Sequence, residues 1–153
     1  MSAIPSEEEM QALVGTALAG GTYEIAHWEN FLFTDACAAD QLPDGLAHPA
    51  HLFHVAINGA GTTIQELFDA AHSMPGDRVS IDYYDWTLRR PLREDERYSI
   101  TGSITEHARS TDGRGSLRDS VTYVFSLVDD DGAEVAEVAF RWHYYRVDDR
   151  MAS

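Results

Sequence analysis

The sequence predicts an α+β fold in which one antiparallel sheet wraps around a central helix. Two observations carry this prediction: the first half of the chain combines short helical segments with loops, and residues 78–145 read almost entirely as strands. A single apolar helix that precedes long antiparallel strands must be buried, and the sheet buries it by curling around it. The 153 residues suit one domain and leave little room for a second, so we assign residues 1–153 to one domain.

The predicted elements before the central helix are short. Ser6 and Glu9 have the spacing of a capping box, which predicts a helix over residues 6–18 that ends at a pair of glycines. Residues 22–28 are predicted to form a short strand, and residues 30–40 a helix.

Residues 59–72 give the strongest helical pattern in the chain. Their apolar side chains recur at spacings of three and four and form one stripe, which consists of Ile64, Leu67, Phe68 and Ala71. Thr62 or Thr63 is a suitable N-cap, and the sequence Met-Pro-Gly-Asp at residues 74–77 ends the pattern. We therefore predict that this segment is the central helix.

Four strands follow, predicted over residues 78–88, 98–104, 121–127 and 136–144. In the first of them the apolar alternation slips by one residue, which predicts a bulge at Tyr83 and Tyr84. Residues 129–132 are predicted to form a hairpin turn, in which Gly132 stands where a positive φ is needed. This order is typical of the hot-dog fold, whose members commonly dimerise with their sheets joined edge to edge. The cone-shaped fold of the nuclear-transport-factor family is the alternative, but its helices come mainly before the sheet.

The charge of the chain restricts its partners. The formal net charge is −15 and the isoelectric point is near 4.6, so nucleic acid and anionic membranes are not expected partners. The anionic phosphates of coenzyme A would need a local basic patch, and Arg89 and Arg90 belong to the only concentrated one. The alternative role of these arginines is ion pairing with the acidic residues beside them. A single cysteine and an acidic N-terminus without a signal pattern predict a cytoplasmic location.

Three segments resemble the MaoC-like hydratases and dehydratases. Residues 89–106 show a proline and an acidic turn that lead into a strand, residues 127–136 show a similar hairpin, and residues 55–59 run into a helix at the position where the family has His-Gly. The resemblance extends over most of the chain and implies a hot-dog fold that acts on enoyl or 3-hydroxyacyl thioesters.

The chain departs from this family at the acid–base pair. Active members carry an aspartate, four residues and then a histidine, and the nearest match in spacing is residues 35–40, where Asp40 occupies the histidine position. The resemblance therefore implies either a non-catalytic subunit beside an active partner or a catalytic site built from other residues.

The densest polar cluster supplies candidates for a rebuilt site. His54 and Glu66 are predicted as the proton-transfer pair, because a histidine near its ordinary pKa of about 6.5 suits general acid–base chemistry. His51 and Glu66 are a second possible pair. Metal ligation by the histidines at positions 48, 51 and 54 is a further possibility, but we predict no metal and no cofactor.

Four residues are predicted to bind the substrate at the start of the central helix. Because the first amides of a helix have no internal partner, they can stabilise an enolate oxygen. The predicted residues are Asn58, Gly59, Ala60 and Gly61, with Arg89 and Arg90 for the carrier phosphates. The alternative for the glycines is tight packing alone.

Three functions remain open from the sequence. The first is an acyl-thioester hydratase or dehydratase, and the second is a thioesterase in which Glu66 or Asp69 activates water. The third is a non-catalytic subunit that binds an acyl chain. The expected ligand is a thioester of coenzyme A or of an acyl carrier protein, and the expected assembly is a homodimer or a heterodimer with another hot-dog chain.

Overall fold

The computed structural model describes residues 4–113 and 115–147, which form four helices and five strands. The elements are α1 (Glu7–Gln11), β1 (Gly21–Glu24), α2 (His27–Ala36), α3 (His51–Gly59), α4 (Ile64–Ala70), β2 (Arg78–Leu88), β3 (Arg97–Thr111), β4 (Leu117–Val128) and β5 (Glu134–Tyr145). None of the helices in the described part of the chain is both long and apolar enough to cross a membrane.

The five strands form one antiparallel sheet in the order β1-β3-β4-β5-β2. This confirms the predicted α+β fold with a hot-dog sheet. β2 has the predicted bounds, whereas the three later strands extend beyond them because their pairing continues to the hairpin ends. The register of β2 against β5 shifts between Ile81 and Tyr83 and leaves Asp82 as the extra residue. The predicted bulge therefore exists, one residue earlier than expected.

The helix predicted over residues 59–72 exists as the shorter α4, with the predicted Thr63 as its N-cap, but it is not the central helix. The helix that the sheet surrounds is α3, which packs against β1, β3, β4 and β5. Its buried residues follow helical spacing and are His51, Leu52, Val55, Ala56 and Gly59. The sequence concealed this face because histidines interrupt its apolar pattern. Of the predicted stripe, Leu67 and Ala71 are fully buried and Phe68 is partly buried, whereas Ile64 is 40% exposed. The Leu67 carbonyl accepts a hydrogen bond from Tyr123 Oη at 3.1 Å.

The N-terminal segment differs from the prediction beyond its first turn. The capping box of Ser6 and Glu9 is present, but α1 ends at Gln11. The following residues run beside β3 instead, where Gly15 N donates to Ile104 O and Leu18 N donates to Gly102 O, each at 2.8 Å. These sheet-like hydrogen bonds replace those that a longer helix would have made.

A buried ionic network closes the end of the sheet near α1 and α4. The Asp119 carboxylate accepts from His107 Nε2 at 2.9 Å, from Arg109 Nε at 2.7 Å and from Arg146 Nε at 2.7 Å. Arg146 also donates to Asp77 Oδ2 at 2.8 Å, and the side chains of Asp119, Arg146 and Asp77 are all fully buried. The network therefore joins β3, β4 and the chain beyond β5 to the segment that leads into β2.

Candidate functional site

α2 buries polar side chains and exposes apolar ones, which marks it as more than a packing element. Asn30 and Thr34 are buried, whereas Trp28, Phe31 and Leu32 are at least half exposed. Asn30 Nδ2 donates to Leu46 O at 3.2 Å and to Glu94 Oε1 at 2.6 Å. Its Oδ1 accepts from His48 N at 3.1 Å. Asn30 therefore fixes the loop that leads into α3.

The three clustered histidines surround the ring of Phe33. The centroid of that ring lies 6.2 Å from the ring of His48, 4.4 Å from that of His51 and 5.0 Å from that of His54. His48 Nδ1 accepts a hydrogen bond from Ala50 N at 3.2 Å, so it stabilises the turn before α3. Within the described residues, no group of three or more metal-ligating side chains is placed to hold a metal ion.

His51 is the unusual member of this cluster. It is 0% exposed, and neither ring nitrogen has a hydrogen-bond partner within the described residues. Burial lowers the pKa of His51, while the charge of Glu29 acts in the opposite direction. The imidazole is therefore neutral at pH 7, with one ring nitrogen available to donate and the other to accept. A buried polar group without a partner costs about 1–3 kcal/mol, so its retention calls for an explanation.

The carboxylate of Glu29, whose charge acts on His51, is paired with a phenol. Tyr23 Oη forms a short hydrogen bond with a Glu29 carboxylate oxygen. Burial and this carboxylate raise the pKa of Tyr23 to about 12. Asn58 Nδ2 lies 3.4 Å from His54 Nδ1, so the predicted substrate-binding residue Asn58 and the predicted catalytic residue His54 lie in one cluster.

Glu66 lies outside this cluster. It forms a capping box with Thr63, in which Glu66 Oε2 accepts from Thr63 N at 2.7 Å. The hydrogen bonds from the backbone and side chain of Thr63 lower the pKa of Glu66. No hydrogen bond or ion pair in the described part of the chain joins Glu66 to His54, so the structure does not bring the predicted pair together.

Gly59, Ala60 and Gly61 do not begin a helix, which corrects the geometry expected for their amides. Gly59 is the last residue of α3, Ala60 is its C-cap, and Gly61 has a φ of +63°. A Cβ on Gly59 would lie 2.6 Å from Ile100 Cδ1. These residues therefore serve the close approach of α3 to β1 and β3, as the tight-packing alternative predicted.

Arg89 and Arg90 border a cavity of about 330 Å³. Its apolar lining includes Leu42, Leu46, Pro49, Leu88 and Leu92. Arg89 Nη2 lies 2.9 Å from Glu134 Oε1, and Arg90 pairs with Glu96 and with Asp129. Both arginines thus make ion pairs, though mostly with residues distant in sequence rather than with their immediate neighbours.

Sequence reasoning missed Tyr23, Glu29, Asn30 and Glu94 as members of this region. One available signal was the spacing of Asn30 and Thr34, because two polar residues four positions apart share one helix face. The apolar residues of α2 suggested the opposite face as the buried one. The pairing of α2 with Glu94, which is distant in sequence, gave no local signal.

The comparisons with known proteins support the fold. No protein-family model matches the chain, and no curated protein sequence matches it. Among solved structures, a chain of the ChsH1–ChsH2 complex from Mycobacterium tuberculosis is 15% identical, with a TM-score of 0.66 over 92% of this chain and 89% of that one. A MaoC-like dehydratase is 14% identical, with a TM-score of 0.65 over 91% of this chain and 44% of that one.

A mutant of a hypothetical thioesterase from Streptococcus pneumoniae is also similar. It is 10% identical, with a TM-score of 0.52 over 86% of this chain and 87% of that one. At these identities the likeness establishes the hot-dog fold, which hydratase-like and thioesterase-like proteins share.

Proposed function

We propose that this chain acts on acyl thioesters as a hydratase or dehydratase, with His51 as a proton-transfer residue. The observation that carries the proposal is the fully buried imidazole of His51, whose two ring nitrogens have no partner within the described residues. A ligand that donates to one nitrogen and accepts from the other would satisfy both. We place this chemistry in the cytoplasm, as the sequence predicts.

The reaction needs two proton transfers, one at the α-carbon and one at the β-oxygen of the acyl group. In the dehydration direction, neutral His51 removes the α-proton, and the β-hydroxyl leaves as water after it receives a proton. Glu29 and Tyr23 are the groups nearby that hold a proton between them. In hydration the same groups act in reverse. Burial of His51 favours this role because it keeps the imidazole unprotonated at neutral pH.

The apolar cavity next to the start of α3 suits the acyl portion of such a substrate. Its lining includes Ala47 and Pro49, which flank His48 of the cluster, and its volume of about 330 Å³ lies at the low end for small-molecule pockets. Arg89 and Arg90 stay as candidates for the carrier phosphates, and Asn58 as a candidate for the thioester. The residues after Asn58 contribute to this site only by their packing, and they are Gly59, Ala60 and Gly61.

The first test is a coupled assay of the purified protein with crotonyl-coenzyme A that follows loss of the double bond and release of thiol. His51→Leu is expected to lower the hydration rate at least about 100-fold. It is also expected to leave the melting temperature unchanged or higher, because it replaces an unpaired buried polar group with an apolar one of similar volume. A purely structural histidine would give the opposite pattern.

His54→Leu and Glu66→Gln are the matched variants, since they change the pair predicted from sequence. If His51→Leu stays active and Glu66→Gln is inactive, the predicted pair is the correct one. Release of thiol by the wild-type protein would favour a thioesterase, as the likeness to the hypothetical thioesterase suggests, with Glu66 or Asp69 activating water. A wild-type protein that is silent in both channels would favour the non-catalytic subunit.

We further propose that the free edge of the sheet pairs with another hot-dog chain. β2 lies at the edge of the sheet, and Ile81, Trp86 and Leu88 are 59%, 38% and 39% exposed. Their cross-strand partners Trp142, Val138 and Ala136 are buried, so these side chains project from the face that α3 covers elsewhere. A paired edge would cover them and remove an exposed strand edge.

Ile81→Asp is expected to shift the protein from dimer to monomer, because it places a charge in this apolar edge. Light scattering after size-exclusion chromatography measures the mass directly. Ile64→Asp is the control, since Ile64 is 40% exposed on α4 and away from the edge. A wild-type monomer that forms a dimer only with a second hot-dog chain would favour the heterodimer. A dimer unaffected by Ile81→Asp would contradict the edge as the interface.

A further inference from the structure

A serine, a histidine and an aspartate meet on the outer face of the sheet. Ser120 on β4 stands opposite His143 on β5, and Ser120 Oγ lies 2.8 Å from His143 Nδ1. His143 Nε2 lies 3.5 Å from Asp82 Oδ2 on β2. Because Val121 and Trp142 next to them belong to the buried core, Ser120 and His143 point away from α3. This constellation is therefore separate from the His51 cluster.

The bulge in β2 places the carboxylate of this constellation. Asp82 is the extra residue of the bulge and follows Ile81, which pairs with the core residue Trp142. Tyr83 pairs with Arg141 on the outer face, so two successive residues of β2 are directed outward. Bulges commonly redirect a side chain in this way near functional sites. The bulge thus turns Asp82 toward His143.

Ser120 opens into a groove of about 600 Å³. The groove is also lined by Gln11, Thr105, Glu106, Arg118 and Arg141. Arg141 Nη2 donates to Glu106 Oε2 at 2.6 Å, which offsets its charge. Arg118 forms no ion pair with a carboxylate within residues 4–113 and 115–147. The groove therefore contains one guanidinium whose charge is available to an anion.

The surroundings of His143 keep its imidazole neutral. Burial lowers the pKa of His143, Asp82 raises it, and Arg118 and Arg141 lower it. The Tyr145 ring packs edge-on against the imidazole at 6.3 Å. In the tautomer with its proton on Nε2, His143 accepts the Ser120 proton at Nδ1 and directs Nε2–H toward Asp82.

We propose that Ser120 is a nucleophile for acyl transfer from small activated esters and thioesters, with His143 as its base and Asp82 as a positioning residue. Ser120 Oγ bonds to the carbonyl carbon as its proton moves to His143 Nδ1. Collapse of the tetrahedral adduct breaks the bond to the alcohol or thiol, which leaves with that proton. Water then releases the acid from the acyl-serine by the same transfers. Arg118 offsets the negative charge of the adduct.

A fluorophosphonate probe with a reporter tag tests the nucleophile, because its phosphorus accepts the serine oxygen and releases fluoride. We expect mass spectrometry to find the label on Ser120 in the wild-type protein. Ser120→Ala should be unlabelled, and His143→Gln should react at least about 100-fold more slowly. Asp82→Asn should shift the pH profile of labelling to lower pH, because the carboxylate raises the pKa of His143.

Ser126→Ala is the matched control, since Ser126 lies on the same face of β4 and stands opposite Glu137 rather than a histidine. It should label like the wild-type protein. An unlabelled Ser120 in folded wild-type protein, or a labelling rate unchanged by Ser120→Ala, would overturn the proposal. Hydrolysis of p-nitrophenyl acetate that is lost in Ser120→Ala and kept in Ser126→Ala would assign the ester cleavage to Ser120.

Discussion

Asp119→Ala is expected to lower the free energy of unfolding by about 3–5 kcal/mol. Asp119 is fully buried and accepts hydrogen bonds from His107, Arg109 and Arg146. Its removal leaves the mostly buried Arg109 without an ion-pair partner among the described residues, and it leaves the fully buried Arg146 with Asp77 as its remaining carboxylate. An unpaired buried charge costs more than the pair contributes, so the loss should exceed that of an ordinary surface ion pair several-fold. Urea denaturation followed by circular dichroism measures this change.

The same carboxylate should make the protein sensitive to acid. Burial alone would raise the pKa of Asp119, but the hydrogen bonds from Arg109, His107 and Arg146 together lower it to about 2 from an ordinary 3.8. Because the folded-state pKa lies below the unfolded one, the stabilisation is complete above about pH 5 and is lost as the pH falls toward 2. The difference corresponds to about 2 kcal/mol. Asp119→Ala should flatten this part of the stability curve.

Asp130→Ala is the matched control for Asp119→Ala. Asp130 is an exposed carboxylate in the turn between β4 and β5, so its removal should change the free energy of unfolding by less than about 0.5 kcal/mol. Equal losses in the two variants would show that the buried network stabilises the fold no more than an exposed carboxylate does. Retention of the acid sensitivity in Asp119→Ala would assign that sensitivity to another carboxylate.

The second half of the chain could be predicted because its pattern is local. Alternation of apolar and polar residues defines a strand wherever one sheet face is buried, and β2 accordingly has the predicted bounds. The capping box of Ser6 and Glu9 was equally local and is present. The bulge was also visible, because a slip in the alternation has a single common cause. Only its position, at Asp82, required the register of the partner strand.

The first half could not be predicted in the same way, because its helices are defined by what they contact. The buried face of α3 includes the polar His51, and its less buried positions include the apolar Phe53 and Ile57, so the sequence shows no clean apolar stripe. α2 buries Asn30 to bind the loop before α3, and no pattern of apolar residues predicts that choice. The sequence predicts the three clustered histidines as site candidates. Only the burial of His51 and its unpaired ring nitrogens distinguish it from His54.

The glycines at the end of α3 illustrate the same limit, since their importance lies in an approach between distant segments. Residues Gly59 and Gly61 were predicted to open a helix, whereas the structure places them against β1 and the residues before it. A Cβ on Gly21 would lie 2.5 Å from Gly59 O, and a Cβ on Gly61 would lie 2.1 Å from Gly20 O. Both contacts involve backbone carbonyl oxygens, which cannot move aside as a flexible side chain does.

Gly61→Ala is therefore expected to lower the free energy of unfolding by about 2–4 kcal/mol, as the sum of two effects. Its φ of +63° is strained for any residue with a Cβ, and the added methyl group collides with the carbonyl of Gly20. Gly45→Ala separates the effects, because Gly45 has a φ of +69° but a Cβ there would meet no atom within 4 Å. That control should lose only about 1 kcal/mol in the same urea titration.

The difference between Gly61→Ala and Gly45→Ala measures what the close approach of α3 to β1 contributes. Both variants carry the same kind of backbone strain. Any additional loss of unfolding free energy in Gly61→Ala must therefore come from separating the two segments. The separation would also displace Tyr23 on β1 from the end of α3 that carries Asn58. Gly61→Ala should therefore slow any thioester chemistry at the His51 cluster even in the fraction that stays folded, whereas Gly45→Ala should not. Equal stability losses in the two variants would mean that the segments separate without cost and that the glycines serve only their backbone conformation.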